Sequence, residues 1–331
     1  MSRPGLTLNR RQLIASMGLV GAGTLLGGGK NAYAAEYPEQ DISFMIPYPP
    51  GGAYDEYVRE IVQPMAAALP NKVNVVPDNV AGAGGARAAN ILNRAKPDGY
   101  TIGILNAVGL LLLKLKGGTI GFNLNELTWI GNLSRDQYAL VVAPNSKIET
   151  VADLQKMSLS QPVKFLTPGP ETTSYAATLI GTHILNIKTQ VITGYQGASA
   201  TLVAVMRGDG DAAIMTLPAI SQMIQGNLLR VVATFEQHSS VKGAEDATSL
   251  KQPDLAQITE LRPVAGPPHL PASMKATLSA ALLKAMQDPG VVAWSQKVGA
   301  TLDPLSAEET AKQIYEQSEF IGRWAGLLSQ P

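Results

Sequence analysis

At 331 residues, 45% of them hydrophobic, the chain has enough material for two domains of ordinary size. Its 26 basic and 26 acidic residues cancel, so no positive surplus is present to neutralise nucleic-acid phosphates. With no cysteine, disulfides, thiolate nucleophiles and thiolate metal sites are excluded together.

Residues 1–34 carry Arg3, Arg10, Arg11 and Lys30 and no acidic residue. Behind Asn9-Arg10-Arg11-Gln12-Leu13-Ile14 an uncharged, glycine-rich run extends to Gly29, and Ala32-Tyr33-Ala34 offers a small-x-small exit. A basic head, an apolar middle and a small-residue exit describe a cleaved export signal. The paired arginines read as the twin-arginine variant, which carries folded cargo. A spanning anchor wants about 20 strongly apolar residues, and this run is shorter and diluted by glycine. The expected mature chain, residues 35–331, keeps 22 basic and 26 acidic residues and is placed in the periplasm.

The mature sequence alternates short β-rich runs with helical ones, which predicts sheets of mostly parallel strands flanked by helices. Ile42 to Ile46 reads as a strand, broken by Pro47-Tyr48-Pro49-Pro50-Gly51-Gly52. The helix that follows from about Asp55 carries Val58, Ile61, Val62, Met65 and Leu69 on one face. Val73 to Val76 is the next strand, Pro77-Asp78-Asn79 a loop, and Gly82-Ala83-Gly84-Gly85 a turn opening a helix from Ala86 to Ala95. Pro97-Asp98-Gly99 turns the chain into strand Tyr100 to Leu105.

After a long irregular stretch a second set begins with strand Tyr138 to Ala143. Thr150 caps a helix containing Val151, Leu154 and Met157. Strand Val163 to Leu166 runs into Thr167-Pro168-Gly169-Pro170-Glu171-Thr172-Thr173-Ser174 and a helix to about Leu185. Strand Thr189 to Ile192, helix Ala198 to Arg207, strand Ala212 to Met215 and strand Val231 to Thr234 complete the alternation. From about Pro271 the chain reads as mostly helical, with Trp294 and Trp324 as packing residues.

Two segments share one design, in which a strand ends, a Pro/Gly turn follows and a helix begins: Pro47 to Asp55 and Thr167 to Ser174. Glycine lets backbone approach a ligand, and the unpaired N–H groups of a helix start attract an anion. Two such mouths facing each other grip a carboxylate without an arginine. Each is also an ordinary strand-to-helix turn when taken alone, and Asp55 reads as a helix cap before it reads as a base. The Gly82-x-Gly84-Gly85-x-Arg87 run lacks the third glycine of a dinucleotide fingerprint and follows a loop, so no nucleotide cofactor is expected. His183, His238 and His269 lie far apart without metal-ligand spacing, and Ser174 and Ser199 lack the nucleophile elbow. No metal, no cofactor and no enzymatic activity are expected.

The segments Ile46-Pro47-Tyr48-Pro49-Pro50-Gly51-Gly52-x-x-Asp55, Gly82-Ala83-Gly84-Gly85 and Ala95-Lys96-Pro97-Asp98-Gly99-Tyr100-Thr101 together resemble the Bug family. These are the extracytoplasmic solute receptors of tripartite tricarboxylate transporters. The resemblance continues through Thr150-Val151-x-Asp153-Leu154, Gly194-Tyr195-Gln196-Gly197, Gly208-Asp209-Gly210-Asp211, Gly226-Asn227-Leu228-Leu229-Arg230 and Ala265-Gly266-Pro267-Pro268. It implies a two-lobed α/β periplasmic binding fold of type II character in which the chain crosses between lobes twice. One lobe would combine residues 35–137 with 235–331, and the other would be 138–234.

The resemblance further implies a monomer that takes a small carboxylate-bearing ligand and hands it to the membrane permease of a tripartite transporter, or reports it to a sensor kinase. Its ligand-gripping residues would be Tyr48, Pro49, Gly51, Gly52, Ala53, Tyr54 and Asp55 from one lobe and Thr167, Gly169, Thr172 and Thr173 from the other. Gly84, Glu171, Tyr195 and Asp211 complete the candidate ligand-binding set. Several positions depart from the family pattern. Glu171 stands where a small residue is usual, Tyr175 near a usual histidine, and Gly194-Tyr195-Gln196-Gly197 where Pro-Tyr-Arg-Gly is usual, losing a cation. The match is also poor around Thr248 to Leu255. These departures fall where ligand identity is set.

Overall fold

The computed structural model describes residues 37–118 and 120–329. The expected export signal therefore lies outside the described residues.

Strand β1 (Ile42–Ile46) is enclosed on both faces, with Ile42, Phe44 and Ile46 fully buried. A Pro/Gly turn ends it and α1 (Ala53–Ala68) packs Val58, Ile61, Val62 and Met65 back onto the sheet. Strands β2 (Val75–Asn79) and β3 (Thr101–Ile104) pair parallel with β1 on either side, and α2 (Ala86–Arg94) lies on the connection between them. Helix α3 (Ala107–Leu115) then leads to β4 (Thr128–Val142), a strand of 15 residues.

β4 serves two sheets. Its stretch Thr128 to Gln137 pairs antiparallel with β9 (Thr259–Gly266), which in turn pairs with β3. From Tyr138 to Val142 it pairs antiparallel with β7 (Ala213–Thr216) and β8 (Arg230–Thr234). β5 (Val163–Leu166) and β6 (Thr189–Ile192) pair parallel, and a parallel bridge from Phe165 to Ala212 joins them to the β7 edge. Helices α4 (Val151–Ser158), α5 (Thr173–Ile184), α6 (Gly197–Arg207) and α7 (Leu217–Gln225) make the connections. The chain closes with α8 (Ala272–Ala285), α9 (Pro289–Val298), α10 (Ala307–Arg323) and α11 (Ala325–Leu328).

The result is a two-lobed α/β fold, as expected. Ile42, Val58, Ile102, Leu278 and Leu282 belong to the core of the first lobe, and Leu140, Phe165, Ile180, Ile214 and Phe235 to that of the second. Phe320, Ile321 and Leu328 at the chain's end join the second core. β1 pairs parallel with β2 and β3, and β5 with β6, whereas β9 pairs antiparallel with β3 and β4, and β4 antiparallel with β7 and β8, so the large sheet is mixed rather than mostly parallel.

Three local expectations change. β4 begins at Thr128 rather than Tyr138, because the polar run Asn132 to Gln137 that disguises it is paired internally: Asn132, Ser134 and Asp136 are buried. Pro77 to Asn79 belongs to β2, so the Gly82–Gly85 turn does connect a strand to a helix, although its third fingerprint glycine is still missing. Helix α3 and strand β9 have no counterpart in the sequence reading. Among the described residues, no helix is long and apolar enough to cross a membrane. None of their His, Asp and Glu side chains form a group of three or more able to hold a metal ion.

Candidate functional site

The loop between β1 and α1 is held from behind. Asp55, buried in the first turn of α1, accepts the Gly51 N–H at 2.9 Å and Arg59 Nε at 2.9 Å on one oxygen, and Asn79 Nδ2 at 2.9 Å on the other. Asn79 Nδ2 also donates to the Tyr48 carbonyl at 3.0 Å, and Arg59 Nη2 reaches Asn79 Oδ1 at 3.0 Å. The Arg59 hydrogen bond, opposed by desolvation and helped by the Gly51 amide, brings the Asp55 carboxyl down to about 2. Asp55 is thus an ionised scaffold for the turn rather than the expected N-cap, a position held by Gly52 without a side-chain cap hydrogen bond. Gly51 sits at φ +85°, which L side chains rarely adopt. The first-turn N–H groups of Ala53 and Tyr54 have no helical carbonyl in front of them.

Tyr48 closes one side of this loop. Its hydroxyl accepts from Asn106 Nδ2 at 2.9 Å, while Asn106 Oδ1 caps α3 through the Gly109 N–H at 2.8 Å. The Tyr48 ring meets Tyr54 edge-on at 5.0 Å, and burial pushes its hydroxyl up to about 12. The Gly82–Gly85 turn packs on the same loop: a Cβ on Gly85 would stand 3.3 Å from Pro47 Cβ. Gly84 faces open space, with no atom within 4 Å of a Cβ placed there.

The second loop, between β5 and α5, is braced by its neighbour. Thr167 N–H donates to the Ile192 carbonyl at 2.9 Å and Gly194 N–H to the Pro168 carbonyl at 2.9 Å, which lays the Tyr195 turn alongside it. Thr172 caps α5 by accepting from the Tyr175 N–H at 3.3 Å and donates its hydroxyl to the Gly169 carbonyl at 2.7 Å. Thr167 Oγ1 is buried without a partner. Glu171 folds back over Gly169, where an added Cβ would lie 2.5 Å from Glu171 Oε1. Lys116, just past α3, donates Nζ to the Pro170 carbonyl at 2.7 Å and lies 4.3 Å from the Tyr175 ring centre. Burial lowers the Lys116 ammonium pKa and the Glu171 carboxylate opposes that shift.

The two loops meet over a buried charged floor. Glu260 on β9 accepts from Thr173 Oγ1 at 2.9 Å, Tyr138 Oη at 3.2 Å and Tyr54 Oη at 3.4 Å, and pairs with Arg262 Nη2 at 3.3 Å. Arg262 Nη1 pairs with Asp136 and donates to Ser134 Oγ at 2.9 Å, and its guanidinium stacks over Tyr57 and Tyr54. Burial pushes the Asp136 carboxyl up, and Arg262 holds it down against that push. Arg262 is already matched by two carboxylates. Its terminal nitrogens therefore offer no spare charge at the floor.

The structure gathers Tyr48, Pro49, Gly51, Gly52, Ala53, Tyr54 and Asp55 on one loop, with Thr167, Gly169, Glu171, Thr172 and Thr173 on the other. Two further sequence candidates have protein partners of their own. Asp211 accepts the Lys164 N–H at 2.8 Å along β5, and the Tyr195 ring packs beside the apolar cluster around Leu166 and Leu202. Asn106, Lys116, Asp136, Tyr138, Glu260 and Arg262 were missed. No motif marks them, and they are assembled by β4, β9 and α3, two of which the sequence reading did not contain.

A two-lobed shell with paired helix starts over its waist defines a solute-binding protein. The sequence pattern of the TctC receptors, the tripartite tricarboxylate transporter family receptor, matches residues 58–328, and the chain belongs to that family. It is 25% identical to protein BugT of Bordetella pertussis, covering 98% of each chain. Its fold is like that of MatC from Rhodopseudomonas palustris solved with malate, with a TM-score of 0.72, 19% identity and coverage of 88% and 100%. Another R. palustris protein, solved with adipate, gives a TM-score of 0.72 at 17% identity, with coverage of 88% and 98%.

Proposed function

We propose that this receptor captures a small carboxylate in its interlobe cleft, in the periplasm, and delivers it to the permease of a tripartite transporter without chemical turnover. The observation that carries this reading is the pair of strand–loop–helix mouths, Tyr48 to Asp55 and Thr167 to Thr173, brought together over Glu260. Each offers first-turn amides and hydroxyls, and the dipoles of both helices favour a negative group there. The malate and adipate held by the two R. palustris proteins support the same ligand chemistry. The lobes are taken as 35–137 with 235–331 and as 138–234, supported by the change of β4 partner between Gln137 and Tyr138, with Phe235 and the C-terminal Phe320, Ile321 and Leu328 packing across onto the second core. Export of the folded chain by residues 1–34 belongs to the same reading.

Thermal unfolding with and without a panel of carboxylates tests it. A ligand at a hundredfold excess over Kd stabilises by about 2.7 kcal/mol. The expected outcome is a rise in Tm with the carboxylate recovered unaltered. No shift with any carboxylate, or conversion of the bound one, refutes the proposal.

A further inference from the structure

A cavity of about 170 Å³ opens beside the start of α1, between the lobes. Ala53 and Tyr57 line it from α1, Trp294 from α9, Pro218 and Ala219 from α7, and Arg262 stands at its inner end. The aromatic wall is fixed in place. Tyr57 and Trp294 meet edge-on at 5.1 Å, and the Tyr57 hydroxyl is tied to Ser134 Oγ at 3.1 Å and the Thr301 carbonyl at 3.2 Å. The facing wall is made of small, stiff side chains. A volume near 150 Å³ is enough for one benzene ring.

The inner end discriminates by charge. Asp136 and Glu56 also border the cavity, and Arg262 is committed through both terminal nitrogens to Asp136, Ser134 and Glu260. A carboxylate pushed to this depth would lose its water beside the buried Asp136 and find no unmatched cation. Arg262 Nε, on a side chain with 6% exposure, is buried without a partner. At the outer end, Ala53 borders both the cavity and the unpaired first-turn amides of α1.

Resting on the carboxylate reading above, we infer that the cavity is a subsite for the apolar body of the ligand. The ligand class is then a monocarboxylate bearing a ring or branched chain. Its carboxylate sits on the α1 amides and its body lies between Trp294 and Pro218. Dicarboxylates and tricarboxylates are disfavoured because their second charge would reach Asp136.

Calorimetry with 3-(4-hydroxyphenyl)propionate, propionate and adipate decides the matter. The arylpropionate should bind at least tenfold more tightly than either of the others. Ala219→Trp, at an exposed position, and Ala300→Phe on the opposite wall should each cut the arylpropionate-over-propionate preference at least tenfold. Ligand-free melting curves confirm that both variants fold. Adipate binding as tightly as the arylpropionate, or a preference unchanged in both variants, overturns the subsite while leaving carboxylate capture standing. Absence of binding by all three acids overturns both.

Discussion

Thr173 Oγ1 donates to Glu260 Oε2 at 2.9 Å, tying the first residue of α5 in the second lobe to β9 in the first. Hydrogen bonds to a charged acceptor contribute about 1.5–3 kcal/mol. Thr173→Val is expected to destabilise by about 1–2 kcal/mol, since Tyr138 and Arg262 still serve Glu260. Glu260→Gln should cost more, because it leaves Arg262 with one carboxylate in place of two. A double-mutant cycle by urea denaturation should give a coupling of about 1 kcal/mol, and strict additivity would mean that the contact carries no energy.

Asp55 makes the acid limb of stability predictable. Its folded value of about 2 lies below its ordinary value of 3.8. Its contribution is therefore fully present above about pH 4 and is lost as the pH falls through about 2. Asp55→Asn is expected to be less stable than wild type by about 1–3 kcal/mol at neutral pH, with the gap narrowing between pH 4 and pH 2. Denaturation midpoints across that range check the prediction, and a gap independent of pH would contradict it.

Neighbouring glycines of the first loop should behave differently. Gly52 has φ −98° and no atom within 4 Å of an added Cβ, so Gly52→Val should leave the ligand-free Tm within a few degrees while abolishing carboxylate-induced stabilisation. Gly51 has equal space but φ +85°. Gly51→Val should cost about 1–2 kcal/mol of stability through backbone strain. Melting curves with and without ligand separate the two cases.

Burial raises the Tyr48 hydroxyl pKa, and the Glu260 and then the Glu171 carboxylate across the loop add to it. Like charges about 4–6 Å apart disfavour one another's ionised form. Glu171→Gly is expected to improve adipate and citrate binding several-fold relative to a monocarboxylate. Equal changes for all three acids would identify Glu171 as a solvated bystander.

Arg10 and Arg11 carry the twin-arginine expectation. Replacing both with lysine should trap unprocessed precursor in the cytoplasm, as read by fractionation and immunoblotting. Normal processing of that variant would rule out the twin-arginine route.

The sequence and the structure agree best where chemistry is local. The strand Val163–Leu166, the strand Thr189–Ile192 and the Thr150 cap with its Asp153 partner all follow from runs of a few residues. Both candidate loops were legible because proline and glycine punctuate them. The floor was not. Asn132, Ser134 and Asp136 read as a polar loop, and only their pairing with Arg262 and Asp303, more than 120 residues later, makes a buried strand of them. Arg262 gives no local sign that it will be enclosed, since its partners are supplied by β4 and by Glu260. Lys116 follows a leucine-rich run and looks like an ordinary helix end. Its contact with Pro170 depends on how α3 lies against α5.

The position of β9 between β3 and β4 also governs when the protein can assemble. Until residues 259–266 have left the ribosome, the sheet of the first lobe has a vacant lane, and β3 and the first half of β4 each show an unpaired edge. The N-terminal third of the chain thus waits for a strand made almost at the end of synthesis, a slow, non-local closure. Its exposed edges in that interval are templates for aggregation. Chaperone demand should be concentrated on the nascent first lobe, and truncation just before residue 259 should yield insoluble material rather than a smaller folded domain.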